Sequence, residues 1–593
     1  MQAYPETQGP VTTRNVDKYI LMEQLRSRMQ SDRSPYEYLW AEIESILDPH
    51  MVQNNMYQAG FPQFVTDKFI SSRHTLAFDD LDAGLQEGII PSAQTWQRYG
   101  LEDEESEVMD RPEVWQYLHT ISKKAQNIYL NSNFYQEAPK TIRSCERYGT
   151  GALMMERDDD TFVRFTTFPI GTYYLSNNKH GWADTFCYMF RKPVRQVISE
   201  FCTDKYGKVT LDNCSENLQA QWLAPFRHEE WVDLVMMIFP NPEYNYFKAK
   251  YNSKYADYSW NYYELGKNIG HKILREEGSS YFPVYSSRRF RQPTDAYGVE
   301  CPGSKARAPI YRMFKSIQMW LFSAQKLLEP PIGADPSVGG GVSNNGVGMT
   351  PNFLTMVPGG VGPNKKIGPI YQLDPAMLKP IDEYIDKCIN EIEQICHRDI
   401  FKRFGNDERQ TPPTATEVLQ RVQEDSRILG PIFGAYNFDW LQRMGKDLYK
   451  LMLEDRVIPP APKIIHGADL QVNIVSRIAI ALKQSDINAL NAHLGLVGQV
   501  AQIKAQPGSE ALNGDEAMDY SLKLLNLPPK LMYTGPQLAK IRDLMNKHKQ
   551  QQQAAEQSKT MSETAKNLGG ASTGGDSNLL QKIMEQQGGN GAT

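Results

Sequence analysis

Ile381, Ile385, Cys388, Ile389, Ile392, Ile395 and Cys396 recur at helical spacing and line one stripe. Asp382, Glu383, Asp386, Glu391 and Glu393 fall largely off that stripe, so the segment predicts an amphipathic helix with an acidic flank. The pattern breaks over 405–413, where Gly, Asn, Asp and a Pro pair oppose helix. Thr414 and Glu417 then stand at capping-box spacing. They predict a second helix running to about Glu454, interrupted at Gly430-Pro431 and at Gly445. Everything else in the chain has to be arranged around a long helix, a short polar loop and another long helix.

A chain of 593 residues has room for about two to four domains. Its apolar fraction of 40% and mean hydropathy of −0.53 predict a soluble chain with a real core and a generous polar surface. A net charge of −6 argues mildly against a protein that grips nucleic acid tightly, because such proteins usually carry a basic face. Cys145, Cys187, Cys202, Cys214, Cys301, Cys388 and Cys396 are odd in number and scattered, with no CxxC spacing. They are expected to be reduced thiols in a protein made in a cytoplasm. The first residues lack a basic stretch followed by an apolar run, so no signal peptide is expected. No apolar run approaches the ~18 residues of a membrane span.

In chain order, 15–49 predicts two helices, the second starting at Ser34-Pro35 with Tyr36, Leu39, Trp40, Ile43, Ile46 and Leu47 on one face. A helix over 71–87 stops at Gly88 and Pro91, an acidic loop follows at 102–107, and helices cover 112–131 and 134–147. Strands are expected at 152–157, 161–168, 185–192, 231–239, 258–265 and 272–275. Gly149 and Gly151 form a GxG without the rest of a phosphate loop, so turn geometry is the stronger reading. Asp158, Asp159 and Asp160 are consecutive between strands and predict a solvated turn rather than a metal site. In 244–264 aromatics alternate with Lys248, Lys250 and Lys254. Such a run can stack single-stranded nucleic acid, but alternating aromatics are ordinary hairpin packing.

Several short words in fixed order resemble the portal (head-to-tail connector) proteins of podovirus-like, short-tailed tailed bacteriophages. They are the helix end and turn at 81–101 with Trp96, Gly149-Thr150-Gly151-Ala152 before strands, a Pro-aromatic strand at Pro283, the Arg-aromatic pair Arg289-Phe290, Tyr297-Gly298, a helix from about Ala308 to Leu328, Pro330-Pro331, and the Thr414-Ala415-Thr416-Glu417-Val418 helix start. Val299-Glu300-Cys301 departs from the small Gly/Ser-Pro expected after Tyr-Gly. The resemblance implies an α+β, mainly helical portal fold assembling as a ring. Its parts would be a wing over 1–300, a stem helix over 301–329, a clip over 330–375, a second stem helix over 376–404, a channel loop over 405–413, a wing return over 414–478, a helical crown or barrel over 479–566 and a tail over 567–593. Within the clip, strands are expected at 354–357 and 370–373, with Lys365 and Lys366 at the tip.

Walker A, HExxH, GxSxG and zinc-spaced Cys/His sequences are absent, so no enzyme and no cofactor is expected. The resemblance implies passage of double-stranded DNA at one capsid vertex, and as partners other copies of the chain in a dodecameric ring, the terminase large subunit, major capsid and scaffold proteins, and tail adaptors. The place implied is the virion, after synthesis in the bacterial host cytoplasm, with no membrane involved. Asp382, Glu383, Asp386, Glu391 and Glu393, repeated around such a ring, would repel a duplex that carries one negative charge per ~1.7 Å and let it slide. Lys402, Arg403, Asn406 and Arg409 of the loop would face the DNA, the three cations making weak phosphate contacts or pairing between subunits. The alternative is a virion adaptor or scaffold-like protein without a channel. A nucleotide-using packaging enzyme is disfavoured by the missing P-loop.

Overall fold

The computed structural model describes residues 11–48, 71–101, 112–203, 208–248, 253–266, 272–292, 294–337, 354–358, 360–361, 365–370, 374–400, 428–462, 465, 470–475 and parts of 543–561. Helix and sheet are mixed, as an α+β chain requires. The chain divides into two compact units, Met1–Ser106 with Tyr117–Ala511 and Glu107–Gln116 with Leu512–Thr593. In the smaller unit the described parts of 543–561 are helical, and Leu544, Met545 and Met561 are exposed. The loop at 405–413 and the helix start at Thr414 lie outside the described residues.

The larger unit is built on an antiparallel sheet of five strands, β4 (Tyr173–Asn177), β5 (Ala183–Pro193), β6 (Trp231–Pro240), β7 (Tyr258–Glu264) and β8 (Ile273–Ser279), paired in sequence order. The central strand β6 reads almost wholly apolar because both its faces are covered. Val235, Met237 and Phe239 pack against Tyr19, Met22 and Met29 of α1 (Val11–Leu47). On the opposite parity, Val232 and Leu234 pack against Val194, Val197 and Ile198 of α5 (Val194–Phe201) and Leu218 of α6 (Glu216–Leu223). A second sheet has the order β3-β2-β9, from β2 (Thr150–Asp158), β3 (Phe162–Phe168) and β9 (Val284–Arg288). The expected strands are therefore present, and β4 is added to them.

Helices α2 (Arg73–Ile89), α3 (Pro112–Asn131) and α4 (Phe134–Tyr148) lie close to where their apolar periodicity puts them. The two helices expected over 15–49 are instead one, α1, of 37 residues and about 55 Å at 1.5 Å per residue. Pro35 removes one backbone donor but does not break the helix, because tertiary bonds hold it on both sides. The buried Arg33 donates to the carbonyls of Gly171 and Tyr173 at 2.7 and 3.0 Å, and Trp40 Nε1 to that of Tyr148 at 3.2 Å. Trp96 is fully buried, stacked on Tyr129 and Phe134, and donates to the Tyr135 hydroxyl at 3.1 Å. The next residues form β1 (Gln97–Leu101), which pairs antiparallel with β13 (Leu470–Ile474), so a late strand closes against an early one.

The expected breaks at Gly430-Pro431 and Gly445 do not occur: 428–436 is helical and Gly445 lies inside α9 (Gln442–Glu454). A β-carbon at Gly445 would overlap the Gln97 side chain, so the glycine serves packing. The irregularity falls between them, as one π turn at Asn437–Leu441.

Candidate functional site: a helix pair and its buried root

Helix α7 (Pro302–Leu328) and helix α8 (Lys379–Ile395) pack on each other. Helix α7 starts at Pro302 rather than near Ala308, because Cys301 and Ser304 form a capping box and Pro302 occupies the first turn. The Cys301 sulfur accepts from the Ser304 N–H at 3.3 Å, and the Ser304 hydroxyl from the Cys301 N–H at 3.0 Å. The residues that depart from the connector pattern thus supply the cap.

The pair is complementary in charge. Helix α7 holds Lys305, Arg307, Arg312, Lys315 and Lys326 and no acidic residue. Helix α8 holds Asp382, Glu383, Asp386, Glu391 and Glu393 against Lys379 and Lys387. Arg312 donates to Glu391 at 2.7 Å across the helices. Arg73 of α2 approaches Asp386 at 3.8 Å, and Arg398 pairs with Glu393 and with Asp80. Among the described residues, Asp382 and Glu383 are exposed and without an ion-pair partner. The five carboxylates of α8 are therefore not equivalent: three are partly neutralised inside the subunit.

Beyond Phe314, α7 loses its cover. Met319, Leu321, Phe322 and Leu328 are 63%, 51%, 47% and 82% exposed. Lys315 lies over the Tyr311 ring at 5.9 Å and Lys326 over Phe322 at 4.4 Å, so lysine stems shield part of this apolar length. Helix α8 adds Tyr384, 42% exposed.

Between the helices stands a small sheet of β10 (Ile332–Ala334), β11 (Leu354–Met356) and β12 (Ile367–Pro369), in the order β11-β10-β12. The strand expected at 354–357 is present. The one expected at 370–373 lies earlier, at Ile367–Pro369, because Ala334, Gly333 and Ile332 of β10 align with those three residues and Ile370 only closes the end by donating to the Pro331 carbonyl at 2.9 Å. Residues 371–373 lie outside the described residues. Lys365 and Lys366 are exposed beside the turn. Lys402, Arg403, Asn406 and Arg409 lie outside the described residues.

The root of α7 is a buried charge network that sequence reading did not find. Arg147, 1% exposed, pairs with Asp48 of the α1 end and with Asp79 and Asp82 of α2 at 3.0 and 3.3 Å. Arg143 reaches Asp48 at 2.6 Å, and the Tyr148 hydroxyl donates to it at 3.1 Å. The neighbouring Glu146 accepts from Arg289 at 2.9 Å and from the Tyr436 hydroxyl at 2.6 Å. Arg288 donates to Asp439 of the π turn at 3.3 Å and to Asn177 at 2.6 Å. Burial raises the Asp82 carboxyl to about 7, against the opposing pull of Arg147. Burial likewise lowers the Arg288 guanidinium to about 10 despite Asp439. Charges removed from water persist only when paired and hydrogen-bonded, so this network fixes α1, α2, α4, β9 and the 428–454 helix around the start of α7.

Two glycine words join the same junction. Gly149 caps α4 in the left-handed conformation, φ +86°. Its carbonyl accepts from the Arg289 N–H at 2.9 Å, and the Gly298 N–H donates to Thr150 Oγ1 at 2.9 Å. Gly149-Thr150-Gly151 is thus turn and packing geometry. Asp158 accepts from the backbone and hydroxyl of Thr161 at 3.1 and 2.7 Å and closes the β2–β3 turn. In the run of aromatics after β6, Tyr246 and Phe247 are exposed, residues 249–252, Lys250 among them, lie outside the described residues, and β7 follows within the sheet.

The sequence model of the family described as bacteriophage head to tail connecting protein matches residues 21–532. The chain is 26% identical to the portal protein of Salmonella phage epsilon15 over 558 residues, 92% of this chain and 96% of that protein. It is 24% identical to the probable portal protein of Bordetella phage BPP-1 over 555 residues, 92% of this chain and 94% of that protein. With the helix pair, the intervening small sheet and the junction words all falling inside that match, the chain belongs to the bacteriophage head to tail connecting protein family.

Proposed function

We propose that this chain is the portal subunit of a short-tailed phage, a structural and non-enzymatic component that assembles as a ring at one capsid vertex and joins head to tail. The observation that carries this reading is α7, which leaves Met319, Leu321, Phe322 and Leu328 uncovered beyond Phe314. A helix apolar over so much of its circumference is stable when other helices enclose it. Copies of the α7–α8 pair set side by side would supply that cover and form the stem. The sheet β10–β12 would be the clip, with Lys365 and Lys366 at its tip, and residues 1–300, with the two larger sheets, the wing. Double-stranded DNA would pass through the bore, and the terminase large subunit, capsid, scaffold and tail adaptor proteins would dock on the ring.

The conduit is passive in this reading. Asp382 and Glu383, without an ion-pair partner among the described residues, supply negative charge to the stem, while Lys402, Arg403 and Arg409 of the loop make sequence-independent phosphate contacts. Negative-stain electron microscopy of the purified protein, alone and with its capsid partners, tests the ring. End-on views with a central hole a few nanometres wide are expected; closed, holeless particles overturn the conduit and favour the adaptor reading. Replacing Arg403 and Arg409 by Ala should leave rings intact and alter DNA packaging or retention. Unchanged packaging and retention would remove the loop from the mechanism.

A further inference from the structure

All seven cysteines are buried and free, and two of them stand apart from the rest. The Sγ atoms of Cys202 and Cys214 lie 2.7 Å from each other, inside van der Waals contact for two sulfurs. Cys202 is the residue that ends α5, its N–H bonded to the Ile198 carbonyl at 3.0 Å. Cys214 immediately precedes Ser215, whose side chain caps α6 by accepting from the Leu218 N–H. The connection between them is held at both ends: Thr210 N–H donates to the Cys202 carbonyl at 2.7 Å, Thr203 bridges Val209, and Gln219 Nε2 donates to the Cys214 carbonyl at 3.1 Å. Both thiols sit in the apolar cluster that seats α5 and α6 on the sheet, among Val197, Ile198, Leu218, Val232 and Leu274. That cluster shields the sulfurs from bulky thiol reagents. The 5% exposure of Cys202 makes it the one a small oxidant reaches first.

We propose that Cys202 and Cys214 are a disulfide-forming pair that closes once the protein leaves a reducing cytoplasm, stapling the end of α5 to the start of α6. A hydrogen bond from Cys214 lowers the Cys202 thiol below its usual value and so favours the nucleophilic thiolate there, while Cys214 is held protonated and high. With hydrogen peroxide as oxidant, the Cys202 thiolate attacks the O–O bond, giving a sulfenic acid and hydroxide. The Cys214 sulfur then attacks that sulfenic sulfur and its hydroxyl leaves. Two thiols lose their hydrogens, one peroxide is reduced and two waters form. The pairing rests on the geometry alone. The timing rests on the proposed place in a released particle, where thiols are no longer kept reduced.

The test is peptide mapping of the full-length protein after hydrogen peroxide, with free thiols alkylated under denaturing conditions before trypsin. Cys202 falls in the peptide 196–205 and Cys214 in 209–227. The expected result is these two peptides covalently joined, lighter than their sum by two hydrogen atoms, with two fewer alkylated cysteines than the seven of a dithiothreitol-treated control. Seven alkylated cysteines after oxidation, or joining of either peptide to one holding a different cysteine, overturns the pairing. The same map on particles purified without reductant separates the two parts. A joined pair there supports both, and a pair that joins only under added peroxide overturns the timing and leaves the geometry standing.

Discussion

Gly149 and Gly298 meet backbone to backbone, each so placed that a β-carbon on it would overlap the other's carbonyl oxygen. They lie about 150 residues apart in sequence and close the same junction from opposite sides, α4 ending at the first and the approach to α7 passing the second. No side chain can move aside, because the obstructing atoms are backbone. Gly298→Ala is therefore expected to destabilise the larger unit by about 3 kcal/mol or more, read as a lower thermal midpoint or loss of soluble protein. Gly266, like Gly149, has a positive φ but has open space around it, so the cost of Gly266→Ala should stay near the ~1 kcal/mol of backbone strain alone.

Glu146 is fully buried and holds two donors at once, Arg289 and Tyr436. Glu146→Gln preserves its shape and the bond from Tyr436 but strands a buried guanidinium. The expected cost is about 3–5 kcal/mol, as for removal of one partner from a buried pair. Arg289→Met combined with Glu146→Gln removes the stranded charge and should recover part of the loss. Chemical denaturation of the two variants side by side measures the difference; equal losses would mean the pair is held by shape alone.

Asp82 sets a pH dependence whose sign is fixed by its surroundings. Its carboxyl stands at about 7 in the folded protein against 3.8 in a free side chain, through burial first, with Arg147 opposing and Glu146 reinforcing. Between those values the folded chain keeps a proton that the unfolded chain gives up. Its contribution to stability is full below pH about 4, falls as pH rises, and is lost above about 7. The upper bound is on the order of 4 kcal/mol from the size of the shift. Arg143 also faces the group and lowers it. Asp82→Asn should flatten the pH–stability curve across this window, while Arg147 keeps Asp48 and Asp79. An unchanged slope of melting midpoint against pH would assign the effect to other carboxyls, of which Glu156 is also raised to about 7.

The periodic parts of the fold were legible. Helices α2, α3 and α4 and the strands around β6 follow patterns of period 3.6 and 2 that local burial enforces. What escaped has tertiary causes. Pro35 reads as a helix start, yet α1 runs through it because Arg33 and Trp40 are fastened to residues more than 100 positions away. The π turn at Asn437–Leu441 has no local signature, and its place is set by where Asp439 must meet Arg288. The root network was invisible for a similar reason. Asp48, Glu146, Arg147, Arg288 and Asp439 are ordinary charged residues in sequence and become a site only when folding removes them from water. Only the Gly149-Thr150-Gly151, Arg289-Phe290 and Tyr297-Gly298 words marked its position. The acidic residues of α8 were legible, but the pairing of Glu391, Asp386 and Glu393 with Arg312, Arg73 and Arg398 depends on contacts across elements.

The exposed length of α7 separates assembly from folding. Met319 and Phe322 contribute little to the single subunit's core, being 63% and 47% exposed. Changing both to Ser should shift the subunit's own stability by less than about 0.5 kcal/mol per site, yet abolish or weaken the ring if copies cover this face. Light scattering after size-exclusion chromatography reads the assembly and thermal melting reads the subunit. Intact rings from the double variant would place the contact between copies elsewhere.

The inequality among the α8 carboxylates gives a graded expectation for DNA. Asp382 and Glu383 are exposed and unpaired among the described residues, whereas Glu391 already has Arg312 at 2.7 Å. Reversing the first two, as Asp382→Lys with Glu383→Lys, changes α8 by four charges per subunit, and the proposed ring would repeat that change around its axis. Linear duplex DNA should then be retained more strongly by assembled rings at low salt. The gain should fade near 0.1 M and above, where screening acts within about 10 Å. Glu391→Gln should have a smaller effect on retention, since it removes a charge already compensated and frees Arg312 at the same place. Its main consequence should be a slightly looser α7–α8 contact, a small loss because both partners are nearly half exposed, at 43% and 46%. Filter binding of DNA to the three ring preparations across a salt series distinguishes them. Equal salt slopes for all three would mean that α8 does not line the DNA path, and the loop or α7, with its surplus of cations, would take its place.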